Sequence, residues 1–167
     1  MADVSIFDQY EDPYLKAKMI NLFDSFRTTI KDYDAGHNIL NGKQLEFSDP
    51  EVLRYLDRGL QDINKGSPPS NYKYMDFPDM NLGLLIDAAF VWSLVGLGIL
   101  QLRNNIEYSD SGLSVNMFNK SPQYQGWLGT FLQLYIMDKK EFKKSILVNA
   151  SNAGFFGLGS EFGYGQW

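Results

Sequence analysis

The sequence predicts a mainly α-helical bundle with a long central apolar helix, one β-hairpin insertion and an extended C-terminal arm. Apolar residues recur at helical spacing in two early segments, and a nearly continuous apolar stretch covers residues 82–102. The C-terminal residues 154–167 interleave five glycines with five aromatic side chains, a composition that resists helix formation. We therefore expect a helical domain over residues 1–150 and an extended arm over residues 151–167.

Two amphipathic helices are predicted before the central stretch. Asp12 followed by Pro13 is a favourable helix start, because the carboxylate accepts from unpaired amides and proline has no amide to lose. Ser48 and Glu51 form a capping box that begins the second helix, which we expect to end near Gly66. The apolar positions of the first helix are Leu15, Met19, Leu22, Phe26 and Ile30, and those of the second are Leu53, Leu56, Leu60 and Ile63.

Residues 82–102 predict the central helix of the bundle. The stretch is long enough to cross a bilayer, which needs about 20 apolar residues. Asp87 near its middle would cost about 2.5–3.5 kcal/mol in a membrane, and no cluster of basic residues flanks the stretch. We therefore expect burial among other helices, with Asp87 as a buried structural acid bonded to a backbone amide or to Arg103, a lysine or a tyrosine of a neighbouring helix.

A β-hairpin is predicted over residues 106–117, where apolar and polar residues alternate on both sides of an Asp-Ser-Gly turn. An isolated two-stranded hairpin is only marginally stable, so it needs a surface to pack against. We expect it at an exposed rim or between subunits. Its candidate interaction residues are Tyr108, Asp110, Gly112 and Leu113.

A last long helix is predicted to begin at Ser121 and Pro122. Its expected inner face is Tyr124, Leu128, Phe131 or Leu132, and Tyr135. Its lysines at positions 139, 140, 143 and 144 complement the negative end of the helix dipole, and we expect them to form a solvated end of the helix.

The C-terminal arm has the composition of a segment that binds a surface. Glycines permit close approach, and large aromatic side chains are the anchors that dominate protein interfaces. Two interpretations stay open: docking on its own domain, or binding to another chain, which we favour because terminal segments order only when tied down. The candidate anchors are Phe155, Phe156, Phe162, Tyr164 and Trp167.

Composition and charge limit the classes of function. The hydrophobic content of 44% and aromatic content of 15% argue against disorder. A net charge of -5 and a pI near 4.8 predict no global attraction for nucleic acid or anionic lipid. The chain has no cysteine, which excludes disulfides and thiolate chemistry. Its acidic start lacks the pattern of a signal peptide, so secretion is not expected.

The sequence carries no recognisable catalytic or metal-binding motif. His37 is the only histidine, which removes two-histidine metal sites. The segment from Asp32 faintly resembles a calcium loop, but it has His37 and Lys43 where such a loop needs glycine and glutamate. A hydrolase built on carboxylates alone stays open, because a fold can bring distant acids together. We expect no enzyme activity, no cofactor and no metal.

Three segments resemble structural proteins of tailed bacteriophages, and within that group the head-to-tail connector or adaptor proteins that form a ring beneath the portal. The segments are residues 53–69 (LRYLDRGLQDINKGSPP), 76–78 (DFP) before the long helix, and 103–115 (RNNIEYSDSGLSV). The resemblance covers residues 48–145 in organisation. It departs from the family at the hairpin between the last two helices, which such adaptors do not all carry.

The resemblance implies an adaptor-like domain present in twelve copies, which form a ring that extends the DNA channel in the neck of the virion. Its implied partners are the portal protein and downstream neck or tail proteins, with passive DNA contact and no membrane, after synthesis in the host cytoplasm. The negative charge is compatible with this setting, since repulsion from phosphates favours sliding over sticking. Another phage structural subunit, of the tail, baseplate or capsid, is the alternative. A single-span membrane protein and an enzyme are the two remaining alternatives.

Overall fold

The computed structural model describes residues 6–37, 44–103, 108–110, 113–115 and 121–159. Its α-helices are α1 (Pro13–Ile30), α2 (Asp49–Lys65), α3 (Leu82–Arg103) and α4 (Ser121–Gly159). Two strands, β1 (Tyr108–Asp110) and β2 (Leu113–Val115), lie between α3 and α4 in the chain. Short 3-10 helices cover Ile6–Gln9, Ala35–His37 and Asp79–Asn81. The described part of the chain is mainly helical, as the sequence predicts.

The first helix begins where the sequence predicts. Asp12 Oδ1 accepts hydrogen bonds from the amides of Tyr14 at 2.7 Å and Leu15 at 3.0 Å, which satisfies two unpaired donors of the first turn. α1 ends at Ile30, and the residue that caps it, Lys31, has a left-handed backbone with φ of 62°. The buried apolar face of α1 consists of Met19, Leu22, Phe23 and Phe26.

The second helix begins at the predicted capping residues and ends just before Gly66. The Glu51 carboxylate accepts from the Ser48 hydroxyl at 2.7 Å and from the Ser48 amide at 2.8 Å. These bonds lower the pKa of Glu51. Val52 takes the fully buried position that the sequence predicted for Leu53, which is half-buried. The complete buried stripe is Val52, Leu56, Gly59, Leu60 and Ile63.

Helices α2 and α3 come into very close contact at Gly59. A Cβ atom built on Gly59 would lie 3.0 Å from the Ala88 Cβ and 3.0 Å from the Ala89 amide nitrogen. Such distances leave no room for a side chain, so one glycine and two alanines set the separation of the two helices. The buried core residues that these two helices contribute include Leu56, Leu60, Ile63, Leu84, Leu85 and Val91.

The central helix is confirmed, since α3 contacts α1, α2 and α4. The prediction that Asp87 is buried was wrong: its side chain is exposed, in a crevice between α3 and α4 that Asp138 also lines. Partial burial of the carboxyl, and then the negative charge of Asp138, raise the pKa of Asp87. The apolar sequence of α3 predicts burial on all sides, but α4 leaves this side partly open.

The two strands lie inside the range predicted for the hairpin. They pair antiparallel, with Tyr108 opposite Val115 and Asp110 opposite Leu113. The residues between the strands and on either side of them lie outside the described part of the chain. The complete hairpin over residues 106–117 and its place at a rim therefore stay predictions.

The last helix continues to Gly159, so the prediction of an extended arm was wrong for residues 151–159. Each residue added to an existing helix gains a hydrogen bond, and a glycine costs only about 1 kcal/mol relative to alanine. Gly154 and Gly157 are therefore tolerated in a helix that is already nucleated. Residues 160–167 lie outside the described residues, and an extended arm there stays a prediction.

Gly59→Ala should destabilise the protein. The added methyl group would collide with Ala88 and with the backbone of Ala89, and such overpacking costs about 1–3 kcal/mol, which outweighs a gain of about 1 kcal/mol in helix propensity. Gly98→Ala in α3 is the matched control, because nothing lies within 4 Å of its added Cβ. Thermal unfolding followed by circular dichroism should give a lower midpoint for Gly59→Ala and an equal or higher midpoint for Gly98→Ala. The opposite order would contradict the close packing of α2 on α3.

Asp87→Asn should stabilise the protein at neutral pH. The raised pKa of Asp87 means that folding disfavours its charged form. This destabilising contribution is complete above the folded pKa and disappears as the pH falls below the unfolded pKa of about 3.9. Denaturant titrations should therefore find the variant more stable than the wild type near pH 7 and equal to it near pH 3. Asp138→Asn should act in the same direction, and equal stabilities at both pH values would contradict the assignment.

Candidate assembly surface

Helix α4 packs on the bundle through a line of side chains seven residues apart. Leu128 is half-buried against the core, while Tyr135 and Phe142 are buried. The Phe142 ring packs against the rings of Tyr72 and Phe77, with centroid distances of 6.0 and 5.7 Å. The predicted inner positions of Leu128 and Tyr135 are therefore confirmed.

A polar cluster fixes the rotation of α4 against α2. The Asp62 carboxylate accepts hydrogen bonds from the Tyr135 hydroxyl and from Lys139 Nζ, the latter at 2.7 Å. Burial raises the pKa of Asp62, but the bonds from Lys139 and Tyr135 outweigh it and hold that pKa below its usual value. Burial, followed by the bond to Asp62, raises the pKa of Tyr135. The pairing thus persists at neutral pH and decides which sides of α4 face solvent.

The lysines of α4 do not form the solvated helix end that the sequence predicted. Lys143 is buried, and its ammonium group donates to the Pro68 carbonyl at 2.9 Å and to Ser70 Oγ at 2.7 Å. Lys139 is bound to Asp62, as described above. The lysines are also far from the end of the helix, which continues to Gly159. Two of the four therefore attach α4 to the bundle.

One side of α4 exposes large apolar side chains, which we call the apolar flank: Trp127, Phe131, Leu134 and Met137. At 3.6 residues per turn these four share one side of the helix. Trp127, Leu134 and Met137 are 55%, 53% and 60% exposed. A helix that is apolar on every side is normally buried on every side. Exposed apolar patches of this kind mark surfaces that contact another protein or a membrane.

The apolar flank borders a groove formed by the end of α1, the segment before α2, α3 and α4. The cavity has a volume of about 380 Å³. The rings of Phe90 and Phe131 meet edge to face there, with centroids 4.8 Å apart. We call this cavity the aromatic groove, and its apolar lining includes Phe47, Phe90, Leu94, Leu97, Trp127 and Phe131.

A buried ion-pair network holds the Phe47 wall of the aromatic groove. Arg27 Nη1 lies 3.0 Å from Asp32 Oδ2, and Arg27 Nη2 lies 2.6 Å from Asp49 Oδ1. The same Nη2 donates to the Phe47 carbonyl at 3.0 Å, and the Phe47 amide donates to Asp32 Oδ2 at 3.0 Å. Both backbone groups of Phe47 are thus fixed, so this wall is in place before any partner binds.

The hairpin residues predicted to interact lie together in the chain. Tyr108 and Asp110 belong to β1, and Leu113 belongs to β2, where it faces Asp110 in the register. Gly112 lies outside the described residues. Their part in protein contacts stays a prediction.

The aromatic residues predicted as arm anchors are divided by the end of α4. Phe155 and Phe156 belong to the helix. Phe162, Tyr164 and Trp167 lie outside the described residues. Their role as anchors stays a prediction, but the first two cannot belong to an extended arm.

The apolar flank was not predicted from the sequence. Phe131 or Leu132 was expected on the inner face; the Phe131 ring does meet Phe90 of α3, but Phe131 and Leu132 remain 39% and 37% exposed. The sequence does contain an indication of this flank, because eight of the eleven residues 127–137 are apolar. That is more than a helix with one buried face requires, and part of the excess forms the exposed apolar flank.

Comparisons with known proteins add no identification. No protein-family model, curated protein or solved structure matches this chain. Among the described residues, no group of three or more His, Cys, Asp or Glu could hold a metal ion. One helical stretch, Asp79–Ile99, is long and apolar enough to cross a membrane, and 39% of it is buried within the protein.

Arg27→Met should destabilise the protein strongly. The change removes the Arg27 guanidinium from the buried Asp32 carboxylate, and breaking a buried pair in this way costs about 3–5 kcal/mol. Lys16→Met is the control, because the pair of Lys16 with Asp8 is exposed on both sides and such pairs contribute about 0–1 kcal/mol. Urea unfolding should separate the two variants clearly. Equal losses would contradict the role given to the Arg27 network.

Proposed function

We propose that this chain is a structural protein of a tailed-phage virion, a connector subunit that forms a ring of twelve copies beneath the portal. The ring extends the DNA channel in the neck, and its partners are the portal protein and downstream neck or tail proteins. The protein is made in the host cytoplasm and acts without catalytic activity or cofactor.

The observation that carries the proposal is the apolar flank of α4. Burial of a large apolar side chain contributes about 1.5–3 kcal/mol, and Trp127, Leu134 and Met137 forgo much of this in the single chain because they are more than half exposed. Aromatic residues and methionine are enriched in protein interfaces. A neighbouring copy in a ring would cover these side chains, which explains why α4 is apolar on more than its inner side.

The polar parts of the molecule support a structural role. The buried charged groups, such as Arg27 with Asp32 and Lys143 with Pro68 and Ser70, hold helices and loops together. The overall charge of -5 favours passive contact with DNA over binding. Together with the resemblance of residues 48–145 to phage connector proteins, these features favour assembly over chemistry.

Another structural subunit of the virion, from the tail, baseplate or capsid, would use the same surface with a different partner. A single-span membrane protein is the second candidate, and the partly buried apolar stretch Asp79–Ile99 favours it. Against insertion, Gly59 of α2 already packs tightly on Ala88 and Ala89 of α3. Asp87 also exposes a carboxyl within the stretch, which is costly in lipid.

The double variant Leu134→Lys/Met137→Lys should abolish assembly without unfolding the chain. Both side chains are more than half exposed, so lysine is tolerated in the monomer but not in an apolar interface. Analytical ultracentrifugation, with and without the portal protein of the same phage, should show an oligomer for the wild type and a monomer of 19.1 kDa for the variant. Thermal midpoints should agree.

Met80→Lys is the matched control, because Met80 is 89% exposed but lies outside the apolar flank. It should assemble like the wild type. A wild-type chain that stays monomeric in the presence of portal protein would contradict the connector proposal. A chain that dissolves only in detergent would favour the membrane candidate instead.

A further inference from the structure

The aromatic groove is built to receive an apolar group. Its volume of about 380 Å³ falls within the ~300–1,000 Å³ of sites that hold small organic groups. The lining has three polar residues, Thr29, Glu46 and Ser93. Two of their side chains are satisfied internally: Ser93 Oγ donates to the Phe90 carbonyl at 2.8 Å, and Thr29 Oγ1 donates to the Ser25 carbonyl at 2.9 Å. Apart from the exposed Glu46, the groove therefore offers a ligand mainly ring faces and aliphatic carbon.

The sequence contains a segment with the matching chemistry. Residues 160–167 (SEFGYGQW) carry three aromatic side chains, and glycines separate them at positions 163 and 165. In an extended conformation Phe162 and Tyr164 share one face, because side chains alternate along a strand. Glycines at the intervening positions allow the backbone to approach a wall closely.

The length of α4 decides which copy can supply this segment. Gly159 lies 28 residues beyond Phe131 in one continuous helix, which places it about 42 Å from the groove at 1.5 Å per residue. The eight residues 160–167 span at most about 29 Å when fully extended. They cannot reach the groove of their own chain.

We propose that the aromatic groove of one copy binds residues 160–167 of a second copy of this chain. The inference deepens the proposed function and rests on the self-association that it requires. The groove lies near the start of α4 and the donated segment follows its end, so the contact joins two different surfaces. A contact of that kind is heterologous, and repeating it yields a ring when the rotation closes.

The absence of cysteine allows the proposal to be tested by site-directed cross-linking of the full chain. Thr29→Cys places a thiol on the exposed edge of the groove, and Gln166→Cys places one beside Trp167. Each variant carries a single thiol. When the two variants are mixed with a short bismaleimide, alone and with portal protein, a covalent heterodimer should form. Its yield should exceed the control by about tenfold, since a bound segment holds its thiol at millimolar effective concentration.

Glu11→Cys is the control for the groove thiol, because position 11 is exposed and lies just before the start of α1, far along the chain from Thr29. Adding Leu97→Asp, a groove position outside the apolar flank, to the Thr29→Cys chain should return the yield to the control level. Phe131→Asp would disrupt the groove and the flank together, so Leu97→Asp is the variant that tests the groove alone. Circular dichroism verifies that each variant is folded.

The outcomes separate this inference from the proposed function. A heterodimer that requires the groove supports it. Oligomers in the ultracentrifuge without a cross-link above control would overturn the inference and leave the connector proposal standing. An internal cross-link in a dilute Thr29→Cys/Gln166→Cys double variant would overturn the reach calculation. A monomer without cross-link, even with portal protein, would overturn both.

Discussion

The close contact of Gly59 with Ala88 and Ala89 is the constraint on which the rest of the structure depends. It allows the buried stripe of α2 to lie directly on α3. A second glycine extends this fit, because a Cβ on Gly96 would lie 2.7 Å from the Tyr55 hydroxyl. Helix α1 packs beside this pair of helices. Helix α4 then covers the side of α3 that remains open. The line from Leu128 through Tyr135 to Phe142 is that covering surface.

The position of α4 explains why the molecule displays an apolar flank. The bonds of Asp62 to Tyr135 and Lys139 fix the helix in one rotation, so its remaining apolar side chains cannot turn inward. The Arg27 network fixes Phe47 on the opposite wall, and the aromatic groove is therefore preformed. A preformed groove loses little conformational entropy on binding, which favours association. The assembly between copies that we propose would account for both features at once.

Local signals in the sequence predicted the helices well, and tertiary placement limited the rest. Asp12 and Ser48 mark helix starts through hydrogen bonds within a few residues, so their effect is visible in the sequence. The exposure of Asp87 depends on where α4 stops covering α3. The apolar composition of α3 alone does not predict the position of this distant helix. Residues 151–159 are helical despite their glycines, because propagation of an existing helix outweighs the local preference of glycine for other conformations. The apolar flank was missed because one inner face was assumed for a segment with enough apolar residues for two.

Electron cryomicroscopy of the full chain with a portal protein, the partner that the proposed function names, tests the central claim most directly. The proposed function predicts a closed ring in which Trp127, Leu134 and Met137 of each copy lie against the next copy, away from solvent. A ring whose subunits meet elsewhere, with this flank of α4 still facing water, would contradict it. So would a portal that carries no density for this chain.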